Sequence, residues 1–177
     1  LEENESAAMC YTSGTTGKPK GVLYSHRALV LHSFAISLSE CFGVAQRDVV
    51  LSIVPMFHAN AWGLPHAAPM IGTKVVFPGT HLDAESLLDL MAAERVTYAS
   101  GVPTVWLRIL EALENHPGRW KFQPGLRMTC GGAAAPEGMI RRFDLLGMRM
   151  IHSWGMTEMT PAGTTGYVKS YLESLPE

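Results

Sequence analysis

The sequence is poor in charge, in cysteine and in long apolar runs, and each shortage excludes a class of protein. Charged residues make up only 17% of the 177 residues, and the formal net charge of -2 gives no electrostatic basis for binding nucleic acid. The three cysteines form no Cys-x-x-Cys pair, so neither a disulfide framework nor a zinc site is expected, and a reducing, cytoplasmic setting is favoured. No apolar stretch reaches the roughly 20 residues that span a bilayer, so we predict no membrane span.

The sequence does contain enough apolar material for a core. Hydrophobic residues make up 47% of the chain, and a chain of this size buries roughly 70% of its unfolded surface on folding. The first residue is Leu1, and the acidic segment that it opens has no features of a signal peptide. Because the chain starts only a few residues before its most informative motif, we expect its length to describe a cut rather than a gene product.

Short apolar runs alternate with segments of helical period. The strand-like runs cover residues 7–11, 21–24, 48–54, 74–77, 96–100, 126–130 and 148–152. Helices are predicted to begin after Ser25 and Asp83 and at Pro103 and Pro136. In the first of these helices, the apolar residues that fall near helical spacing are Leu29, Val30, Phe34, Leu38 and Phe42. The alternation predicts an α/β fold with a mostly parallel sheet flanked by helices.

Polar, glycine-rich stretches directly follow three of the predicted strands, after Tyr11, Cys130 and His152. In open α/β sheets, ligands bind outside the carboxyl ends of the strands. The three stretches therefore predict one shared ligand site.

The stretch from Tyr11 to Gly21 is the strongest signal for a ligand. Its glycines permit a close backbone approach, its hydroxyl groups and backbone N–H groups suit a polyphosphate, and its two lysines supply positive charge. It is not a Walker A loop, because only two residues separate Gly14 from Gly17 and a proline follows Lys18. The residues predicted to bind nucleotide here are Thr12, Ser13, Gly14, Thr15, Thr16, Gly17 and Lys18.

This stretch resembles the phosphate loop of the acyl-adenylate-forming superfamily, which includes acyl-CoA synthetases, luciferases and peptide-synthetase adenylation domains. Two further segments agree with that family in order and spacing. Residues 130–136 resemble its adenine-pocket loop, and residues 152–158 resemble its aromatic-Gly-x-Thr-Glu motif. The resemblance implies that residues 1–167 form the central part of the family's large N-terminal AMP-binding domain. The composition of residues 168–177 predicts an exposed, linker-like end.

The resemblance also implies roles for individual residues. Trp154 would stack on adenine, and Gly131 and Gly132 would leave room for the purine. Thr157 would hydrogen-bond the α-phosphate, and Glu158 would ligate Mg²⁺ as a hard oxygen donor. The other implied contacts are Ala133, Ser153, Gly155 and Met156 with the nucleotide, Thr15 with the metal, and Lys20 as a catalytic cation.

A fourth segment, residues 54–62, resembles a stretch of the medium- and long-chain fatty-acyl-CoA synthetases. His58 is implied to border the acyl site, where a ring N–H beside the reacting carboxylate would act in catalysis. Trp62 is implied to gate the acyl tunnel. Gly101 follows a predicted strand and is expected to line the acyl pocket together with Gly132.

The activity that the resemblance implies is ATP-dependent activation of a carboxylic acid, with fatty acids favoured, followed by acyl transfer to coenzyme A. ATP and Mg²⁺ are the implied cofactors, and the small carboxylic acid and coenzyme A are the implied partners. The resemblance leaves open whether the intact enzyme is a homodimer. The family's ribose-binding motif and small C-terminal domain do not follow Pro161. We therefore expect this chain to be inactive alone.

Two alternatives remain. The first is a sibling adenylating enzyme that acts on a short-chain, aryl or carrier-bound acid. The second, from a different class, is a nucleotide-binding module without catalytic activity.

Overall fold

Strands and helices alternate along most of the chain, as the apolar pattern predicts. The structure, a computed structural model, describes residues 1–14 and 17–172. The strands are β1 (Ser6–Thr12), β2 (Lys20–Ser25), β3 (Val49–Ser52), β4 (Lys74–Val76), β5 (Tyr98–Gly101), β6 (Arg127–Cys130), β7 (Arg149–Gly155) and β8 (Ala162–Gly166). The helices are α1 (His26–Ser37), α2 (Ala59–Trp62), α3 (Leu64–Ile71), α4 (Ala84–Ala93), α5 (Pro103–Asn115) and α6 (Glu137–Leu145). Single 3-10 turns cover Thr157–Met159 and Ser170–Leu172.

The larger sheet has six strands in the order β4-β3-β5-β6-β7-β8. Its first five strands are parallel, and β8 pairs antiparallel with β7 at one edge. All four residues of β5 are buried, as is typical of a central parallel strand covered on both faces. The prediction of an α/β fold with a mostly parallel sheet is confirmed.

Helices cover both faces of this sheet. On one face, residues such as Leu51, Ala99 and Met128 pack with the buried sides of α4, α5 and α6 in one large cluster. On the other face, Val50 and Tyr98 pack with residues of α1 and α3. Neighbouring residues of a strand thus enter opposite layers, as the two-residue period of a strand requires. None of the helices in residues 1–14 and 17–172 is long and apolar enough to cross a bilayer.

The first two strands do not join the large sheet. β1 and β2 pair antiparallel with each other, with Met9 opposite Leu23, in a separate two-stranded sheet. The segment between Thr12 and Lys20 is too short for the crossover of a dozen or more residues that a parallel pair needs. From the sequence, we expect the first glycine-rich stretch to follow a strand of the same parallel sheet as the other two stretches. This expectation is wrong, because the stretch connects the two strands of a hairpin.

Helix α1 begins where the sequence predicts but buries a different face. The Ser25 Oγ accepts a hydrogen bond of 3.1 Å from the Ala28 N–H and caps the helix. The buried residues of α1 are His32, Ser33 and Ile36. Of the apolar residues at near-helical spacing, Val30, Phe34 and Leu38 are exposed, and Phe42 is buried but lies beyond the end of the helix. Packing of α1 against α3 decides which face is buried, and the apolar spacing does not reveal it.

Three elements carry no clear signal in the sequence. Helix α3 contains two prolines, Pro65 near its start and Pro69 inside it, which hide the helical pattern. Strand β8 consists of small and polar residues without apolar alternation. The short element α2 has left-handed backbone dihedrals, which local sequence patterns do not predict.

Candidate functional site

A cleft of about 220 Å³ lies at the carboxyl end of the parallel sheet. β6 and β7 are parallel neighbours with Cys130 opposite His152, so the segments that follow these residues lie side by side. The sequence predicts that these two polar stretches lie together at the carboxyl ends of their strands, and the placement agrees with this prediction. The residues that line the cleft are Phe42, His58, Ala59, Trp62, Gly131, Gly132, Ser153, Trp154, Gly155, Met156, Thr157, Pro161 and Ala162.

Trp154 lines the cleft from the end of β7. Strand β7 extends to Gly155, three residues beyond the predicted end, and Trp154 pairs with Thr164 of β8. A methyl group on Gly163 would lie 2.8 Å from Trp154 Cε3, so the ring packs against the backbone of β8. The side chain nevertheless stays 54% exposed and lines the cleft. An aromatic ring that packs against a strand but stays largely exposed in a cleft is suited to stacking a planar ligand.

The turn that follows Trp154 is held back against β8. The Met156 N–H donates to the Pro161 carbonyl oxygen at 3.0 Å, so the chain closes a loop around the 3-10 turn Thr157–Met159. Thr157 lines the cleft, and Glu158 is exposed next to it. The predicted phosphate and metal contacts are thus adjacent on one short, tethered turn.

The β1–β2 hairpin holds this turn from the other side. Buried Tyr24 donates from its hydroxyl to the Thr157 carbonyl oxygen at 2.6 Å. Burial raises the pKa of Tyr24 far above its usual value, and the neighbouring Cys10 and Glu158 raise it further, so the phenol stays a neutral donor. Sequence reasoning missed Tyr24, whose only visible signal is its place in a short apolar run.

The opposite wall of the cleft is formed by a left-handed turn. The φ angles of Ala59, Asn60, Ala61 and Trp62 are 46°, 51°, 48° and 57°. For residues other than glycine this conformation costs roughly 1–2 kcal/mol each, and backbone strain of this kind concentrates at functional sites. The Asn60 side chain ties the turn to the hairpin, because its Oδ1 accepts from the Cys10 thiol at 3.3 Å.

The left-handed turn directs Trp62 into the cleft. Trp62 is 8% exposed, and its ring lies against Gly131, where an added methyl group would be 3.1 Å from Cη2. His58, at the start of the turn, is exposed and lines the same cleft. Trp62 and His58 therefore face the wall formed by the ends of β6 and β7.

The predicted phosphate loop lies at the end of the hairpin rather than in the cleft. Its described residues Thr12, Ser13, Gly14, Gly17 and Lys18 are exposed or half-buried and do not line the cleft, and Lys20 is exposed at the start of β2. Thr15 and Thr16 lie outside the described residues. Contact between Lys18 or Lys20 and a nucleotide therefore stays a prediction.

Two other predicted contacts lie behind the cleft wall. The Gly101 carbonyl oxygen accepts from the Trp106 Nε1–H at 3.1 Å and from the Gly131 N–H at 3.4 Å. The Ala133 carbonyl oxygen lies 3.4 Å from His152 Nε2. Gly101 and Ala133 do not line the cleft, so a ligand contact at either residue also stays a prediction.

The polar groups of the cleft fit a metal–nucleotide complex better than an all-protein metal site. Among the described residues, no three His, Cys, Asp or Glu side chains are grouped to hold a metal ion. Mg²⁺ bound with ATP needs only one or two protein carboxylates, because water and phosphate oxygens complete its coordination. Glu158 offers one such carboxylate. Ser153 also lines the cleft, and its buried Oγ has no hydrogen-bond partner among the described residues.

Comparison with known families gives a match over nearly the whole chain. The family described as AMP-binding enzyme matches residues 1–176. A long-chain-fatty-acid–CoA ligase of Thermus thermophilus is 50% identical over 177 residues, which are 100% of this chain and 32% of that protein. A medium-chain-fatty-acid–CoA ligase of Ectopseudomonas oleovorans is 50% identical over 165 residues, 93% of this chain and 30% of that protein. A 3-methylmercaptopropionyl-CoA ligase of Ruegeria pomeroyi is 47% identical and covers 99% of this chain and 32% of that protein.

Solved structures agree with the fold. A long-chain-fatty-acid–CoA ligase of Archaeoglobus fulgidus superposes with a TM-score of 0.82 at 25% identity, over 93% of this chain and 34% of that one. The o-succinylbenzoate coenzyme A synthetase of Bacillus subtilis in complex with ATP and magnesium gives a TM-score of 0.81 at 25% identity, over 99% and 35%. The chain therefore spans about a third of the length of the proteins that it matches.

Proposed function

The chain belongs to the family of AMP-binding enzymes, and on that basis we propose that it supplies the nucleotide and acyl contacts of an acid–thiol ligase. The observation that carries this proposal is that two separate segments line one cleft. Trp154, Ser153 and Thr157 line it from β7 and the turn that follows, here called the nucleotide wall, and His58 and Trp62 line it from the left-handed turn, here called the acyl wall. A site for an acyl-adenylate requires this arrangement, because the adenine and the acyl group are joined through one phosphate.

The proposed reaction has two steps. In the first, a carboxylate oxygen attacks the α-phosphorus of ATP, and the bond from that phosphorus to the bridging oxygen breaks, releasing pyrophosphate. In the second, the thiol sulfur of coenzyme A attacks the acyl carbon, AMP leaves, and the thiol proton passes to solvent. Neither step needs a protein nucleophile, so the chain's contribution is to position the reactants and stabilise charge.

The nucleotide wall supplies specific groups for the first step. The exposed ring of Trp154 stacks the adenine, and Ser153 lies next to it in the lining of the cleft. The Thr157 hydroxyl binds the α-phosphate, while Lys18 and Lys20 of the hairpin end offset phosphate charge. Glu158 would hold Mg²⁺, which would neutralise phosphate charge when bound. The Tyr24 hydrogen bond to the Thr157 carbonyl keeps this turn in place.

The acyl wall favours an apolar acid. His58 stands at the rim, where its ring can hydrogen-bond the carboxylate, and the Trp62 ring forms the inner surface. The relatives named as long- and medium-chain-fatty-acid–CoA ligases support a fatty acid as the substrate. The relative named as a 3-methylmercaptopropionyl-CoA ligase supports the second candidate, a short sulfur-containing acid.

The test uses the intact protein, meaning the complete polypeptide in which this chain occurs. We expect pyrophosphate exchange into ATP that depends on Mg²⁺ and on a fatty acid, and release of thioester and AMP once coenzyme A is added. A series of acids from three carbons to long chains, with 3-methylmercaptopropionate included, separates the two substrate candidates. ATP binding without exchange for any acid would overturn the ligase and favour a binding module. Exchange well above background by the 177-residue chain alone would overturn its proposed inactivity.

The cellular compartment of the intact protein is proposed from the state of its cysteines. The three cysteines, Cys10, Cys41 and Cys130, are free thiols, which is consistent with a reducing, cytoplasmic compartment.

Size-exclusion chromatography with light scattering on the intact protein tests whether it is a homodimer.

Removing the aromatic ring of Trp154 should weaken nucleotide binding selectively. We expect Trp154→Ala to raise the dissociation constant of Mg·ATP for the intact protein about tenfold, because a base–aromatic stack is worth roughly 1–3 kcal/mol. Trp154→Phe keeps a flat ring and should retain most of the affinity. Isothermal titration calorimetry measures both variants. Tyr171→Ala is the matched control, since Tyr171 is an aromatic with 74% exposure outside the cleft; an equal loss of affinity in this control would contradict stacking at Trp154.

A further inference from the structure

His32 is a buried histidine that contacts both walls of the site from behind. It lies on α1, is 7% exposed, and does not line the cleft. Its ring packs directly on Gly63, where an added methyl group would lie 2.3 Å from Cε1 and 2.4 Å from Nδ1. Its Nε2 accepts a hydrogen bond of 3.3 Å from the Ala162 N–H.

Each of the two residues that His32 contacts lies at one end of a segment that lines the site. Gly63, with a φ of 80°, ends the left-handed turn that carries Trp62. Only glycine both adopts this φ without strain and leaves room for the ring. Ala162 begins β8 and pairs with Gly155, and its neighbour Pro161 accepts the hydrogen bond that closes the loop around Thr157. One imidazole ring thus contacts, from behind the cleft, a segment of the acyl wall and a segment of the nucleotide wall.

The bond to Ala162 requires a neutral ring. Burial and, to a smaller extent, the neighbouring His66 together lower the pKa of His32 to about 4, so the imidazole is uncharged at neutral pH. Because the Ala162 N–H donates to Nε2, the ring proton is on Nδ1. A protonated Nε2 would instead set two N–H groups against each other and lose the contact.

We propose that His32 is a positioning residue that holds the left-handed turn and the start of β8 at a fixed separation, so that the reacting carboxylate and the α-phosphate meet in the productive geometry. This inference rests on the proposed ligase function. His32 touches neither substrate, and its effect passes through Gly63 and Ala162. Its loss should therefore lower kcat more than it raises KM, since the groups that bind ATP and acid are still present.

The experiment compares three substitutions on α1 in the intact protein. His32→Leu keeps an apolar side chain of similar bulk but removes the acceptor, whereas His32→Gln places a carbonyl oxygen where Nε2 was. Ser33→Ala is the matched control, because Ser33 is also buried on α1 and its Oγ donates to the Leu29 carbonyl oxygen within the same helix. We expect kcat of acid-dependent exchange to fall about tenfold in His32→Leu with both KM values within about twofold. His32→Gln should recover kcat to within about threefold of the unmodified protein, and Ser33→Ala should match it.

A second readout needs no substrate and so separates this proposal from the ligase function. Hydrogen exchange of the Ala162 and Met156 amides should accelerate in His32→Leu but not in His32→Gln or Ser33→Ala. If the unmodified protein shows no exchange of pyrophosphate, the ligase function fails, while the amide data still test the His32 bridge. Unchanged kcat in a folded His32→Leu, or equal defects in His32→Leu and His32→Gln, would overturn the proposal. Should His32→Leu not fold, His32→Gln carries the test: a tenfold loss of kcat with protected amides would overturn it.

Discussion

Gly155→Ala is expected to lower acid-dependent pyrophosphate exchange by the intact protein by at least about 100-fold, because an error of about 1 Å in a positioned group costs that much. A methyl group at Gly155 would lie 2.0 Å from the Pro161 carbonyl oxygen, 3.0 Å from its carbonyl carbon and 3.3 Å from Ala162 Cα. These are backbone atoms that no rotamer change can move away. The strand end must shift, and the Met156 N–H bond to Pro161 breaks with it.

This shift has a defined consequence for the site. The loop from Met156 to Pro161 carries Thr157 and Glu158, so both proposed phosphate and metal contacts move with the backbone. Binding of Mg·ATP should weaken together with the exchange rate, and calorimetry measures it independently. Full exchange by a folded Gly155→Ala protein would mean that the loop geometry is not needed for the reaction.

Gly138→Ala is the control for this substitution. Gly138 lies in α6, and nothing lies within 4 Å of the position of an added methyl group. Alanine in a helix is favoured over glycine, so we expect a gain in stability of up to about 1 kcal/mol and unchanged exchange. The two variants make the same chemical change and differ only in what the methyl group meets.

Asp48→Ala is expected to destabilise the protein by about 3–5 kcal/mol, as removal of one partner from a buried ion pair usually does. Asp48 is 7% exposed and accepts from Arg127 Nη2 and the Thr97 hydroxyl at 2.7 Å each, and from the Ala45 N–H at 2.8 Å. Without the carboxylate, the guanidinium of Arg127, 24% exposed, keeps its charge but loses its counterion. Urea unfolding of the intact protein measures the loss.

The same network also links stability to the site. Arg127 Nη1 donates to the carbonyl oxygens of Phe42 and Gly43 at 3.0 and 2.8 Å, and Phe42 lines the cleft. Loss of Asp48 should therefore make the part of the cleft lining around Phe42 more mobile before the chain unfolds. Glu94→Ala is the matched control, because the Lys74–Glu94 pair is exposed and such pairs contribute at most about 1 kcal/mol. A loss in Asp48→Ala no larger than in Glu94→Ala would contradict a structural role for the buried pair.

The pH dependence of this pair has a definite sign. Burial alone would raise the pKa of Asp48, but the hydrogen bonds from Arg127, Thr97 and Ala45 outweigh burial and lower it. A carboxyl group with a lowered pKa stabilises the fold above its ordinary pKa of about 3.9, and the contribution disappears as pH falls through the lowered value. Asp48→Ala should therefore remove part of the acid sensitivity of the unfolding free energy below about pH 4.

Part of the architecture could be predicted from local patterns. The apolar runs at β3, β5, β6 and β7 alternate with helical segments, and this alone predicts a parallel sheet with helices on both faces. Ser25 and Asp83 accept the capping hydrogen bonds expected of their positions. The segments after Cys130 and His152 meet at the edge of the sheet, because parallel neighbours end on the same side.

Other features depend on partners that are distant in the sequence. The pairing of β1 with β2, the exposed Phe34 on α1 and the small-residue strand β8 follow from what each element meets in space. The bonds of Tyr24 to Thr157 and of His32 to Ala162 join residues more than a hundred positions apart. No spacing or composition rule marks such pairs.

The sequence thus contains the type and order of most of the elements, the resemblance to the family and the two segments that form the nucleotide wall. The tertiary structure alone decides the separate hairpin, the left-handed turn that presents Trp62, and the buried ring of His32 behind both walls. The reason lies in the range of the interactions. Helical and strand periods are local properties of the backbone, whereas strand pairing, the buried face of a helix and strained dihedrals are selected by packing against the rest of the chain.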